Sequence, residues 1–67
     1  MIDPYCNRTP NQIPEYVEAA REDGYPSARY YVLHEEGTYN PETKHFCCTE
    51  CYIKIGQPSS PTGWKCP

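Results

Sequence analysis

Cys48-Thr49-Glu50-Cys51 places two thiols within one turn of backbone, and three further cysteines, Cys6, Cys47 and Cys66, occur in a chain of only 67 residues. Zinc takes soft thiolate ligands tetrahedrally at about 2.3 Å, and a two-residue spacer brings both sulfurs to one ion. The rest of the chain explains why such a staple is needed. Ile, Val, Leu and Phe together number eight of 67, about 12%, below the ~20% under which a chain tends toward disorder. Chains of this length form one small domain, and they commonly add a metal, disulfides or a partner subunit to reach useful stability. The expectation is a single zinc-binding domain over 1–67, with 57–67 an extended Pro/Ser-rich tail folded back onto it.

Three other readings of the cysteines compete with zinc, and one of them, free buried thiols with no metal, would leave the weak core unexplained. Disulfides would leave one of five unpaired and belong to a secreted, toxin-like protein. The opening Met1-Ile2-Asp3-Pro4-Tyr5-Cys6 lacks the basic and apolar regions of a secretory signal, and no apolar run approaches the ~20 residues of a membrane span. These features predict a cytoplasmic chain that contacts no membrane. A thioredoxin-like redox pair shares the Cys48/Cys51 spacing, but it needs a βαβ context that the sequence does not offer. One zinc ion is the reading preferred, with iron in a four-thiolate site inseparable from it by sequence.

Hydropathy and punctuation residues then suggest the elements. Pro14 suits a first helical position, Glu15 and Glu18 favour the positive end of the dipole, and Ile13, Tyr16, Val17 and Ala20 recur at helical spacing up to a stop at Gly24. An earlier start at Thr9, with Gln12 completing a capping box, would leave Pro14 inside the helix and is set aside. Arg29-Tyr30-Tyr31-Val32-Leu33-His34 is aromatic and β-branched enough to predict a strand, with Lys44 to Cys47 as its antiparallel partner. The intervening residues, rich in Gly, Asn-Pro and carboxylates, read as a solvated hairpin loop. Thr49 then caps a short helix through Ile55, ended by Gly56 and Pro58. Tyr16, Tyr30 or Tyr31, Tyr52 and Trp64 are assigned to the core, leaving Tyr5, Tyr25 and Tyr39 exposed.

Cys48 and Cys51 supply half a zinc site, and distant Cys6 and Cys66 are the candidates for the other half. A hairpin that delivers a C-x-x-C turn into a short helix resembles the second half of treble-clef and zinc-ribbon fingers, over roughly Arg29 to Gly56. The resemblance implies a small α+β zinc-stabilised fold: N-terminal helix, antiparallel β-hairpin, C-x-x-C turn and short helix. Such fingers carry a matching C-x-x-C before the hairpin. Here that position would be Cys6-Asn7-Arg8-Thr9, which lacks its second cysteine. Cys66 is therefore assigned as fourth ligand, with His45, His34 or Cys47 as substitutes. Of these Cys47 is read first as a small buried hydrophobe beside the site and only second as a ligand.

Nothing in the sequence suggests catalysis. It offers no phosphate-cradling Gly-rich loop, no Ser/His/Asp set and little wall for a substrate cavity. The formal charge of −3, with basic residues scattered along the chain, disfavours direct nucleic-acid binding. An acidic surface favours a basic protein partner. Glu15, Glu18 and Glu22 on the first helix, with Glu35, Glu36 and Tyr39 on the hairpin loop, are the candidate contacts. The expected function is a small zinc-stabilised interaction or regulatory module. An alternative of the same size and charge is a phage-type inhibitor of a nucleic-acid-handling enzyme, by analogy with anti-CRISPR proteins.

Overall fold

The computed structural model describes all 67 residues. A single 3-10 turn, Pro10–Gln12, precedes three helices: α1 (Pro14–Glu22), α2 (Ala28–Glu35) and α3 (Thr49–Lys54). Thr9 and Gln12 do form a capped turn, the Gln12 side chain accepting the Thr9 backbone N–H at 2.9 Å. That turn stops at Ile13, and α1 starts afresh at Pro14, whose missing N–H costs nothing at a first helical position. At its end Tyr25 N–H reaches Ala20 O at 2.9 Å and Gly24 N–H reaches Arg21 O at 3.3 Å. This pairing requires a left-handed residue between them, which Gly24 supplies at φ +77°.

The run Arg29–His34, expected as a strand, lies within α2, and the predicted β-hairpin does not form. The chain contains no β-strand, only two isolated bridges. Ser27 caps α2 by accepting the Tyr30 backbone N–H on its hydroxyl at 3.4 Å. Burial explains why the helix wins. Ala28 and Val32 are buried and Tyr31 is half-buried, whereas Arg29, Tyr30, Leu33 and His34 face solvent. Positions 28, 31 and 32 share one face of a helix, but a strand would send 31 and 32 to opposite sides. That face packs on α1, with Tyr16 and Tyr31 ring centroids 6.0 Å apart. β-Branched and aromatic content is a weak preference that tertiary packing overrides here.

The other expected strand, Lys44 to Cys47, is extended but pairs elsewhere. Ile2 lies parallel to it, donating to Lys44 O at 3.2 Å and accepting from Phe46 N–H at 3.1 Å. Asn40 to Lys44 forms a tight turn closed by Asn40 N–H to His45 O at 2.8 Å. The N-terminus thus occupies the place that the hairpin partner was expected to take. It brings Asp3 and Cys6 to the residues just before α3.

Phe46 and Val32 are fully enclosed at the centre, with Ile13, Tyr16, Ala28 and four cysteines, Cys47, Cys48, Cys51 and Cys66, around them. Sulfur thus supplies much of the apolar interior that aliphatic residues do not. Tyr16 meets Phe46 edge-on at 6.1 Å. Of the tyrosines assigned to the core, Tyr16 is buried, Tyr31 and Tyr52 are half-buried and Tyr30 is exposed; Tyr39, expected outside, is half-buried against the core. From within α3, Tyr52 donates its hydroxyl to Pro58 O and packs against Trp64, both beyond the helix end. Cys66 donates its backbone N–H to Thr38 O at 2.8 Å. No helix is long and apolar enough to cross a membrane.

Candidate metal centre

Asp3, Cys6, Cys48 and Cys51 converge, with one ligand atom from each lying within 4.8 Å of every other. Two local turns build the group. On the N-terminal side, Asn7 N–H bonds to Asp3 O at 2.7 Å and Asp3 N–H to Arg8 O at 2.9 Å, closing a loop around Cys6. Asn7 sits at φ +59°, a left-handed conformation that asparagine tolerates better than most residues. On the other side, Cys48 is the N-cap of α3 and Cys51 lies in its first turn. α3 spans only six residues and depends on its surroundings for stability.

Asp3 joins the two halves. It is fully buried; its Oδ1 accepts Tyr5 N–H at 2.8 Å and its Oδ2 accepts Cys48 N–H at 2.9 Å. Burial alone would raise its carboxyl pKa, but bonds from the Cys48 thiol and N–H, from Tyr5 N–H and from the Cys51 thiol outweigh it and hold the acid below its usual range. The thiols shift the other way. Burial first, and then the Asp3 carboxylate, raises Cys48; burial, with bonding to Cys48, Asp3 and Cys6, raises Cys51. A carboxylate and three crowded sulfurs form an electron-rich pocket, and a divalent cation would reverse this logic by favouring the thiolates.

Arg8 borders the group from outside. Its Nε lies 3.3 Å from Cys6 Sγ, one terminal nitrogen lies 3.9 Å from Cys48 Sγ, and the same end approaches Glu50 Oε2 at 3.7 Å. Its positive charge would offset the excess of thiolate if the group held a cation, the position of a supporting residue just beyond the ligands.

The sequence placed Cys6, Cys48 and Cys51 together, and the structure does so too. It does not bring Cys66 into the group. That residue is buried within the core cluster, and Asp3 stands in the fourth position. The proposed substitutes lie elsewhere. His45 Nδ1 bonds to Pro67 O at 2.7 Å, and His34 stacks between Tyr25 and Tyr30, with centroids at 5.8 and 6.4 Å. Cys47 is buried, its backbone N–H and C=O both bonded to the Thr38 hydroxyl. Burial, with the negative charges around it, pushes the Cys47 thiol up to about 12. Asp3 escaped the sequence reading, although Asp3-Pro4-Tyr5-Cys6 repeats the spacing of Cys48-Thr49-Glu50-Cys51 with an acid in the first place. A treble-clef pattern places the second ligand three residues after Cys6, whereas here it stands three residues before it.

Among the candidate partner residues, Glu15, Glu18, Glu22 and Glu35 are exposed and Glu36 and Tyr39 are half-buried. Glu18 pairs with Arg21 at 3.7 Å, and Glu35 accepts the Tyr25 hydroxyl at 2.6 Å. Neither of the two surface cavities, about 480 and 350 Å³, is lined by a member of the Asp3/Cys6/Cys48/Cys51 group. Compared with known proteins, the chain matches no protein family, no curated protein and no solved structure.

Proposed function

We propose that Asp3, Cys6, Cys48 and Cys51 hold one zinc ion, and that the chain is a small non-catalytic module that binds a basic protein partner through its acidic, tyrosine-bearing surface. The convergence of three thiols and a buried acid from opposite ends of the chain carries the reading. Ligands at about 2.3 Å in a tetrahedron lie ~3.8 Å apart, so a group already within 4.8 Å closes on zinc by less than ~1 Å of contraction. The donor set, mostly sulfur with one carboxylate oxygen, lies within what zinc accepts, and it disfavours magnesium or calcium, which prefer oxygen ligands.

Enclosure supports a structural role. Asp3, Cys48 and Cys51 are buried, and the cavities lie elsewhere, whereas a catalytic zinc keeps an open position facing substrate. Three thiolates and one divalent ion take the formal charge from −3 to −4, which strengthens attraction to a basic surface. The interaction half of the reading is tested by comparing what the chain and its Glu15→Lys, Glu18→Lys, Glu22→Lys variant retain from a cell lysate. A basic protein retained at low salt, released at high salt and lost with the variant is the expected result. Equal retention by both forms overturns it.

A further inference from the structure

The larger cavity, about 480 Å³, lies between α3 and the C-terminal segment and falls within the ~300–1,000 Å³ of ligand-binding clefts. Trp64 and Tyr52 stand in its wall with ring centroids 5.6 Å apart and planes inclined at 55°. Glu36 is the one charged residue that lines it. This carboxylate is half-buried and has no basic partner in the chain, whose ion pairs join Arg8 and Lys54 to Glu50 and Arg21 to Glu18. It is nonetheless held in place. Its Oε2 accepts the Tyr16 hydroxyl at 2.7 Å, and Tyr16 in turn accepts Thr49 N–H at 3.0 Å, at the start of α3. Oε1 is left without a donor from the protein.

A fixed carboxylate with no basic partner, lining one cavity with two aromatic rings, is complementary to a flat cation. We propose that this cleft receives an arginine side chain of the partner protein, its guanidinium lying against Trp64 and Tyr52 and its N–H groups directed to Glu36. Arginine fits better than lysine because its planar, weakly hydrated head stacks on aromatic faces while donating several N–H groups in one plane. Lys65 marks the rim, its Nζ bonded to Gly37 O at 3.0 Å, and its charge opposes an incoming cation. The proposal rests on the interaction reading above and adds the place and chemistry of one contact.

Trp64 is the only tryptophan, so its fluorescence reports on this cleft alone. The protein as purified is titrated at constant ionic strength with N-acetyl-arginine amide and with N-acetyl-citrulline amide, an uncharged isostere. A saturable change for arginine, at least about tenfold weaker for citrulline, is expected from one charge-assisted contact. Glu36→Gln should abolish the preference with the circular dichroism spectrum unchanged, and Lys65→Gln should strengthen arginine binding. Equal responses to the two amides, no saturable response, or a preference that survives Glu36→Gln overturns the proposal. If Glu36→Gln does not fold, the comparison of the two amides on the native chain decides alone. A negative result beside charge-sensitive partner retention removes the cleft and leaves the module. Arginine binding without partner retention does the reverse.

Discussion

Replacing Asp3 by Asn changes one atom of a fully buried side chain and separates two ways of completing the metal group. In the native chain both carboxylate oxygens accept backbone N–H groups, from Tyr5 at 2.8 Å and Cys48 at 2.9 Å. Asparagine keeps one acceptor, now neutral, and sets an NH₂ group against the other N–H. Losing one charge-assisted bond removes about 1.5–3 kcal/mol, and weakening the second from charged to neutral removes about 1 kcal/mol more. Apart from any metal ligation, these two bonds should therefore cost the zinc-loaded fold about 2.5–4 kcal/mol, a large share of the ~5–15 kcal/mol available to a domain. If Asp3 also ligates, zinc affinity measured by competition with a chromophoric chelator should fall by at least about a hundredfold, more than the ~10–100-fold typical of supporting residues. Cys66→Ser is the control, because Cys66 lies outside the group. It should destabilise through burial of a hydroxyl but leave zinc affinity within about threefold, since its thiol makes no contact with the ion. Denaturant unfolding and the competition assay measure the two effects separately. Unchanged affinity in Asp3→Asn, together with loss of affinity in Cys66→Ser, would refute the assignment and restore Cys66 as the fourth ligand.

Cys51→Ser should leave the chain unfolded at neutral pH, since structural zinc supplies about 10–16 kcal/mol of apparent binding energy; a cooperative melting transition in this variant would count against the model. Phe46→Ala, at a fully enclosed site against Tyr16, should cost about 3–5 kcal/mol in urea unfolding, with metal stoichiometry retained. Burial, and to a lesser degree the Glu36 carboxylate, raises the Tyr16 hydroxyl above its ordinary value of 10. A group raised in the folded state contributes stability that is complete below its unfolded pKa and is lost as pH rises through the folded one. Stability should thus decline above about pH 10, and Tyr16→Phe, less stable at pH 7, should show a shallower alkaline decline. Parallel slopes for the two proteins would contradict this.

α1 was legible because its signals are local: a proline at the first position, a repeating apolar face and a glycine where the chain must turn left-handed. The short helix at the C-x-x-C turn was legible for the same reason, although Cys48 rather than Thr49 forms its cap. The segment 29–34 was not. Its composition favours a strand, and only the position of α1 selects Ala28, Tyr31 and Val32 as a buried face. Losing the hairpin altered the site as well. With Lys44 to Cys47 paired to Ile2, the N-terminus lies beside Cys48, and Asp3 arrives through two backbone bonds that no spacing rule anticipates. Chain reach alone made Cys66 a candidate ligand, but reach does not select a neighbour, and the structure buries Cys66 outside the group. Cys6, Cys48 and Cys51, which the structure brings together, are the thiols whose neighbour in the group lies three residues away along the chain.

Native mass spectrometry of protein purified without added metal, paired with circular dichroism before and after a chelator, tests the central claim most directly. The account predicts one zinc per chain, with all five cysteines reduced, and helical signal lost when the ion is removed. A metal-free chain that stays folded, or one lighter by the four protons of two disulfides, would contradict it.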